Sequence, residues 1–419
     1  MHITWGEFMK QIFKFNKTIQ SRMILNFFQV VGSAMVMPYS VVYFSNKISA
    51  ALTTATILLV GVFSLLGYLI GGRCSDHIGR KKVIIVSELV SGISFILISY
   101  FDSFFHFYAI PIILSFMTIY FFESAANPAY SALIIDASDE NNRSIIYTYF
   151  MWISNVAFAI GSILGGFFFE KYSPLLFFLV GASSILSAFC TCYFIKDTYI
   201  QQSKIVQNTI EKDVDLKKEP FKMMRLFASR VFVLLCIGNL LINLLSEQFP
   251  NYLSIRIVSN YPFGDITGYH MIGYLHVVDT VITVFAVGVI LKSTSSLSEK
   301  GKMILGLLLF ILGYICLSYF LQPIFLLFGM VLISIGRLIY YPTLQSITAK
   351  IIPEETRGTH LSILGLLAAL GGILSSLFIL GMEYITEMGI TTINICLGTC
   401  IIFNYVSVYR FIKKEYEKE

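Results

Sequence analysis

The chain has 419 residues, of which 56% are hydrophobic and only 13% are charged, with a mean hydropathy of +0.76 and a formal net charge of +5. This apolar content exceeds what one soluble core could bury, which excludes a soluble globular protein and indicates a chain whose solvent is lipid. The basic residues stand in short loops between apolar stretches, which argues against a nucleic-acid-binding protein.

Apolar stretches recur along the whole chain, and each is long enough to cross a bilayer, which takes about 20 residues. They predict twelve transmembrane helices and leave no room for a large soluble domain. In chain order, the predicted spans are 24–44, 52–71, 83–101, 107–133, 145–169, 174–195, 231–254, 268–291, 303–321, 324–348, 360–384 and 391–411.

The lysines and arginines predict the orientation of these spans. If both termini face the cytoplasm, inner segments carry 26 of the 30, and the outer loops carry only Lys47, Lys171 and Arg256. Membrane proteins concentrate Lys and Arg on the cytoplasmic side. We therefore expect a multi-pass protein of the cell (inner) membrane with both termini in the cytoplasm.

A repeated pattern relates the two halves of the chain. The separation from Pro128 to Arg143 after the fourth span equals that from Pro342 to Arg357 after the tenth, 15 residues in both. Parallel repeats of this kind are typical of transporters that rock two bundles around a central site.

A polar segment separates the sixth span from the seventh. The sequence therefore predicts an all-α membrane protein of two six-helix bundles related by pseudo-symmetry. The bundles are residues 1–195 and 231–419, and residues 196–230 form a cytoplasmic linker.

The loop after the second span reads Gly72-Arg73-Cys74-Ser75-Asp76-His77-Ile78-Gly79-Arg80-Lys81-Lys82. It resembles the G-xxx-D-(R/K)-x-G-R-(R/K)-(R/K) signature of the major facilitator superfamily. Glycine permits close helix approach and a tight turn, and the basic residues hold the loop in the cytoplasm. The resemblance implies a conformational latch on the cytoplasmic side, formed by Gly72, Asp76, Gly79, Arg80 and Lys81.

Further stretches are similar to the drug:proton antiporter branch of this superfamily, the multidrug exporters of the LmrP type. These are Leu133–Ser138 with Arg143, and Gly336–Pro342. The resemblance implies the twelve-span fold of these exporters, and Asp136 and Arg143 are expected to belong to the cytoplasmic gate.

Small residues in the fifth span, Gly161, Gly165 and Gly166, resemble a glycine motif of proton-coupled exporters, with Ser162 at the place of its proline. Plain helix packing explains the same residues, because small side chains let helices touch.

Several ionisable side chains fall within the predicted spans, where burying one costs on the order of 3 kcal/mol or more. A carboxyl group shielded from water can exchange protons near neutral pH, as coupling to a proton gradient requires. The candidates for proton coupling or substrate binding are Glu123, Glu247, His276, Asp279 and Arg337. The alternative is a structural ion pair, for instance between Arg337 and either Asp279 or Glu247.

Aromatic residues make up 15% of the chain. A broad aromatic pocket suits varied lipophilic ligands. By the family resemblance, six of them lie in spans that line a central cavity: Phe27, Tyr39, Phe122, Phe249, Tyr340 and Tyr341.

The sequence contains no GxxxxGK(S/T), HExxH or GxSxG pattern and no metal-ligand spacing. We therefore expect that the chain has no ATPase domain, is not an enzyme and binds no metal or cofactor. The leading hypothesis is a monomeric secondary transporter that exports small lipophilic or amphiphilic compounds by proton antiport with alternating access, as in multidrug efflux. Its partners are the substrate, protons and the lipid bilayer. One alternative is a transporter of a lipid, peptide or anionic nutrient, which the buried cation Arg337 favours. A second is a non-transporting membrane receptor.

Overall fold

A computed structural model describes residues 15–103, 107–138, 140–195, 230–261, 264–352, 357–382 and 384–416. Every regular element in these ranges is helical, and eleven of the helices are long and apolar enough to cross a membrane. The predicted all-α membrane fold is confirmed.

The first six predicted spans form five long helical segments. Their helices are Lys17–Val36 with Ser40–Lys47, Ala50–Ile78, Arg80–Ser103, Ala109–Asp136 and Glu140–Phe194. The last has 55 residues and leaves helical geometry at Tyr172 (φ −129°, ψ 28°), two residues before Pro174. Proline lacks the N–H of the helical hydrogen bond, and its ring clashes with the preceding turn, so two spans meet here at a kink. Within the described part of the chain, the eleven long helices therefore correspond to the twelve predicted spans.

The other six spans follow the predicted positions. Their helices are Arg230–Ser246 with Ser254–Asn260, Gly268–Val281 with Val287–Ser293, Glu299–Tyr319, Pro323–Ile351, Arg357–Ser375 with Leu377–Gly381, and Glu387–Tyr416. In the seventh and eighth spans, five-residue π-helices connect the two pieces, at Phe249–Leu253 and Ile282–Ala286. Such wide turns interrupt the regular hydrogen-bond ladder and are frequent at functional sites.

Local signals explain where several helices begin and end. Asn16 accepts a hydrogen bond from the Thr18 amide at 3.1 Å, and Ser298 accepts one from the Gly301 amide at 3.1 Å, so both act as N-caps. Gly79 has φ +99°, which few other residues adopt, and this lets the third span begin at once after the second.

The contacts within the chain define two compact units. The first unit extends to Tyr199 and also contains Asp265–Thr280; the second unit contains Ile200–Gly264 and Val281–Glu419. The sequence assigned Asp265–Thr280 to the second bundle, whereas its contacts group it with the first unit. The linker predicted at 196–230 lies outside the described residues except for Arg230, and the bundle boundaries stay predictions.

Two basic residues that charge counting assigned to loops are buried within helices. Arg22 is within Lys17–Val36 and 4% exposed, and Arg256 is within Ser254–Asn260 and 1% exposed. Charge counting fails at both because each guanidinium has buried partners, described below, that offset the cost of leaving water.

Candidate functional site

The helices of the first unit surround a cavity of about 640 Å³. This is within the range of small-molecule sites in proteins, about 300–1,000 Å³. Its lining combines serines and amides with the aromatic residues Phe95, Tyr120, Tyr130 and Phe150. Of the residues that the structure describes, three with charged side chains line it: Arg22, Glu88 and Glu123.

Glu88 is the most densely hydrogen-bonded of these groups. It lies in the third span and is 3% exposed. Its carboxylate accepts hydrogen bonds from Arg22 (3.1 Å), Gln29 (2.7 Å), Tyr130 (2.8 Å), Ser187 (3.0 Å) and Thr191 (3.3 Å). These five donors, which come from several helices of the first unit, fix the position of the Glu88 side chain.

Arg22 provides the positive charge opposite Glu88. Besides the ion pair, it donates to Oε1 of Gln29 at 2.7 Å, and its guanidinium carbon lies 3.8 Å from the centre of the Tyr130 ring. The cation–π contact and the two hydrogen bonds fix its orientation. The pair is therefore a rigid, electrically balanced part of the cavity wall.

Sequence reasoning missed this pair. The signal was present, because Glu88 stands deep in an apolar stretch and meets the same criterion that selected Glu123. Arg22 was counted with the basic residues before the first span. Its helix in fact begins at Lys17, and Arg22 lies in its second turn.

Glu123 lies on the fourth span and lines the same cavity. Its side chain is half-buried, and none of the described residues forms an ion pair or hydrogen bond with its carboxylate. The neighbouring Ser124 hydroxyl is paired with that of Ser64 at 2.6 Å. Glu123 thus contrasts with Glu88: one carboxylate is fully coordinated by protein, and the other faces the cavity.

The other ionisable candidates lie away from this cavity. Glu247 follows the helix Arg230–Ser246, and its backbone carbonyl accepts a hydrogen bond from Ser375 at 3.2 Å. His276 packs edge-on against Phe158, with ring centres 5.2 Å apart. Asp279 lies one turn further along the same helix as His276.

Arg337 lies in the second unit, in the helix Pro323–Ile351, with a guanidinium nitrogen 3.5 Å from the hydroxyl of Thr283. The proton-coupling and substrate-binding roles of Arg337, Glu247, His276 and Asp279 stay predictions.

The latch residues gather at the ends of the second to fifth spans. Arg80 forms an ion pair with Asp136 at the end of the fourth span. Lys81 donates to the backbone carbonyl of Cys192 at 2.7 Å. Arg143 donates to the Ser138 hydroxyl at 3.2 Å, just beyond the same fourth span.

Two other residues predicted to belong to the latch are Gly72 and Asp76. A β-carbon at Gly72 would lie 4.0 Å from Pro128, which is ordinary contact distance. The side chain of Asp76 lies outside the described residues.

The glycines of the fifth span make close contacts within the first unit. A β-carbon at Gly161 would overlap the carbonyl of Val31, and one at Gly165 would overlap the Tyr39 ring and the Met35 carbonyl. Gly166 lies against the backbone of Tyr269. These contacts are those of tightly packed helices.

The six aromatic residues predicted to line a central cavity do not border the cavity described here. Tyr39, Phe249 and Tyr340 are at least 93% buried, and Tyr39 donates a hydrogen bond to the Ser162 carbonyl at 2.6 Å. Phe27 and Phe122 are half-buried, whereas Tyr341 is 52% exposed. Their role in ligand binding stays a prediction.

Comparison with known proteins gives a family match over most of the chain. Residues 22–376 match the Major Facilitator Superfamily. A "Na(+), Li(+), K(+)/H(+) antiporter" from Planococcus maritimus is 23% identical over 388 residues, which are 87% of this chain and 89% of that protein. The "Uncharacterized MFS-type transporter YttB" of Bacillus subtilis (strain 168) is 24% identical over 392 residues, 93% of each chain.

Solved structures of transporters share the fold. A mutant of the nucleoside transporter NupG superposes with a TM-score of 0.75 at 12% identity, over 94% of this chain and 100% of that one. The peptide transporter POT in complex with sulfate gives a TM-score of 0.73 at 14% identity, over 95% and 94%. With its family match, its membrane-spanning helices and its transporter-like fold, the chain is a multi-pass membrane transporter that belongs to the Major Facilitator Superfamily.

Proposed function

We propose that this chain is a secondary antiporter that exports a small lipophilic or amphiphilic compound in exchange for protons, with Glu123 as the group that carries the proton. The observation behind the proposal is the contrast between the two acids of one cavity. Glu88 is held by five donors, whereas the carboxylate of Glu123 faces the cavity with no described partner.

Proton exchange requires a carboxylate whose charge changes between conformations. Protonation of Glu123 would remove the one charge of the cavity that has no described counter-ion, and so would favour a conformation in which the cavity is shielded from water. A transporter that binds the substrate and the proton at one carboxylate exchanges them, because the two compete for it.

The shape and lining of the cavity support an amphiphilic substrate. Phe95, Tyr120 and Phe150 offer apolar surface, while Glu123 and Asn127 offer polar contacts for a headgroup. The relative from Planococcus maritimus is named as an antiporter, which supports exchange as the mode of transport.

A second candidate function is exchange of an alkali metal ion for a proton. Two observations favour it: the name of the same relative, and side-chain oxygens in the cavity lining that can coordinate a cation, among them those of Asn127 and Ser131. Alkali and other hard cations bind through oxygen ligands.

Transport in inverted membrane vesicles tests both candidates. Uptake of the lipophilic dye ethidium should require a proton gradient and stop on addition of an uncoupler. Glu123→Gln should lower this uptake at least tenfold, whereas the exposed Glu170→Gln serves as the matched control and should leave it unchanged. Proton release from the vesicles on addition of NaCl or KCl would instead support alkali exchange.

The proposal would be refuted by an uptake rate that does not depend on the proton gradient, or by a Glu123→Gln variant that still accumulates dye against its concentration gradient. Uptake of an anionic amphiphile in place of ethidium would favour the alternative transporter of a lipid, peptide or anionic nutrient.

A further inference from the structure

Among the described residues, three charged side chains line the cavity of the first unit, and their charges do not cancel. Arg22 and Glu88 balance each other at 3.1 Å. Glu123 then leaves one negative charge when it is ionised. A cavity with one net negative charge is complementary to a ligand that carries one positive charge.

Hydrogen bonds and burial hold the Arg22–Glu88 pair in place. Glu88 has five side-chain donors, and Arg22 has Gln29 and the Tyr130 ring in addition to Glu88. Both side chains are at most 5% exposed, so water and salt screen them weakly. Removal of either charge would therefore change the electrostatic energy of a ligand in the cavity.

Polar side chains of the cavity wall can also contact a cation. Asn127 and Ser131 line the cavity, and their side-chain oxygens can serve as ligands for a cation or for a water bound to one.

We propose that the buried Arg22–Glu88 pair sets the net charge of this cavity and thereby makes it selective for monovalent over divalent cations. The ligand is either an alkali metal ion or an organic cation with one charge. This inference rests on the proposed function in one respect, that the cavity holds the exchanged species, and it adds how the valence of that species is chosen.

Three variants change the net charge of the cavity in a predictable way. Glu88→Gln leaves Arg22 unbalanced, which cancels Glu123 and should weaken binding of a monovalent cation roughly tenfold. Arg22→Gln leaves two negative charges and should strengthen binding of a divalent cation by a similar factor, roughly tenfold. The double variant restores the charge and should restore the preference for one positive charge.

Equilibrium binding to the purified full-length chain in detergent measures these changes. The monovalent probe is tetraphenylphosphonium and the divalent probe is hexamethonium, each titrated against wild type, the three variants and the control Glu170→Gln. Competition by NaCl and by KCl distinguishes an alkali-ion site from an organic-cation site. Size-exclusion profiles and melting temperatures show that each variant is folded.

The expected result is opposite shifts in valence preference for the two single variants and a return to the wild-type preference in the double variant. Equal loss of binding of both probes in all three variants would show that the pair has only a structural role and would overturn the inference. So would wild-type protein that binds neither tetraphenylphosphonium nor alkali ions.

The experiments can refute the proposed function and the inference about the cavity independently of each other. If tetraphenylphosphonium binds with the expected valence pattern but vesicles show no proton-coupled transport, the antiport proposal is refuted and the inference about the cavity stands. If vesicles export an uncharged compound against a gradient while no cation binds, the reverse holds.

Discussion

Arg22 and Glu88 are 66 residues apart in the chain and form an ion pair at 3.1 Å with both side chains at most 5% exposed. A buried pair of this kind gains little over an apolar pair of the same volume, but removing one partner leaves an uncompensated charge and costs roughly 3–5 kcal/mol. The two residues differ in what remains when the other is removed.

We predict that Glu88→Ala lowers stability more than Arg22→Ala does. Without Arg22, the Glu88 carboxylate keeps Gln29, Tyr130, Ser187 and Thr191 as donors. Without Glu88, the guanidinium keeps only Gln29 and the Tyr130 ring among the interactions described here. Melting temperatures of the purified variants in detergent measure the order, and a larger effect at Arg22 would contradict the hydrogen-bond pattern.

The spans and the latch loop could be predicted from sequence because their signals are local. Apolar length defines each crossing, and the positive φ of Gly79 follows from a glycine at a helix–helix turn. Pairings between spans are not local. Nothing in the first span identifies Glu88 as the partner of Arg22, and nothing near Arg256 identifies its acceptors.

The same reason explains why Glu123 and Glu88 could be distinguished only in the structure. The sequence presents Glu123 and Glu88 alike, as single acids in apolar stretches. Their difference lies in the donors Ser187 and Thr191, which reach Glu88 from a span about a hundred residues further along the chain.

The ion pair between Arg80 and Asp136 should affect transport more than stability. Their side chains are 21% and 25% exposed, and pairs exposed to water contribute about 0–1 kcal/mol. We expect Arg80→Gln and Asp136→Asn to leave the melting temperature nearly unchanged. If the pair holds one conformation, each should slow transport up to about fivefold, the factor that 1 kcal/mol makes.

Exchange of the two charges provides the control for this pair. Arg80→Asp combined with Asp136→Arg should recover transport relative to either single charge reversal. Failure of this recovery, with ligand binding intact, would show that the two residues act independently.

Close packing at Gly165 should make it intolerant of any side chain. Gly165→Ala places a methyl group on the Tyr39 ring and the Met35 carbonyl, and overpacking of this kind costs roughly 1–3 kcal/mol. Gly288 is the matched control, because it is also helical but, beyond its own stretch of helix, no described atom lies within 4 Å of its β-carbon position. Gly288→Ala should be neutral or slightly stabilising, since alanine favours a helix. Equal melting temperatures for the two variants would contradict the packing.

Arg256 should be essential for the stability of the second unit. Its guanidinium donates to the backbone carbonyls of Leu317 at 3.0 Å, Tyr319 at 2.9 Å and Phe320 at 3.1 Å, at the end of the helix Glu299–Tyr319. The last carbonyls of a helix have no partner within the helix, and a buried helix end needs donors from elsewhere. Glu387, which lies 3.2 Å from the guanidinium, balances the charge.

Arg256→Met should therefore cost several kcal/mol, because it leaves three carbonyls unpaired at about 1–3 kcal/mol each where they are shielded from water. Arg256→Lys should recover only part of this loss, since an ammonium group cannot place donors on three carbonyls with the fixed fork of a guanidinium. Arg230→Lys is the control, because Arg230 is exposed at the start of its helix and should tolerate the exchange. Denaturation of the three variants in detergent gives the order Arg230→Lys, Arg256→Lys, Arg256→Met from most to least stable. A fully stable Arg256→Lys would mean that the positive charge opposite Glu387, and not the capping geometry, holds the helix end in place.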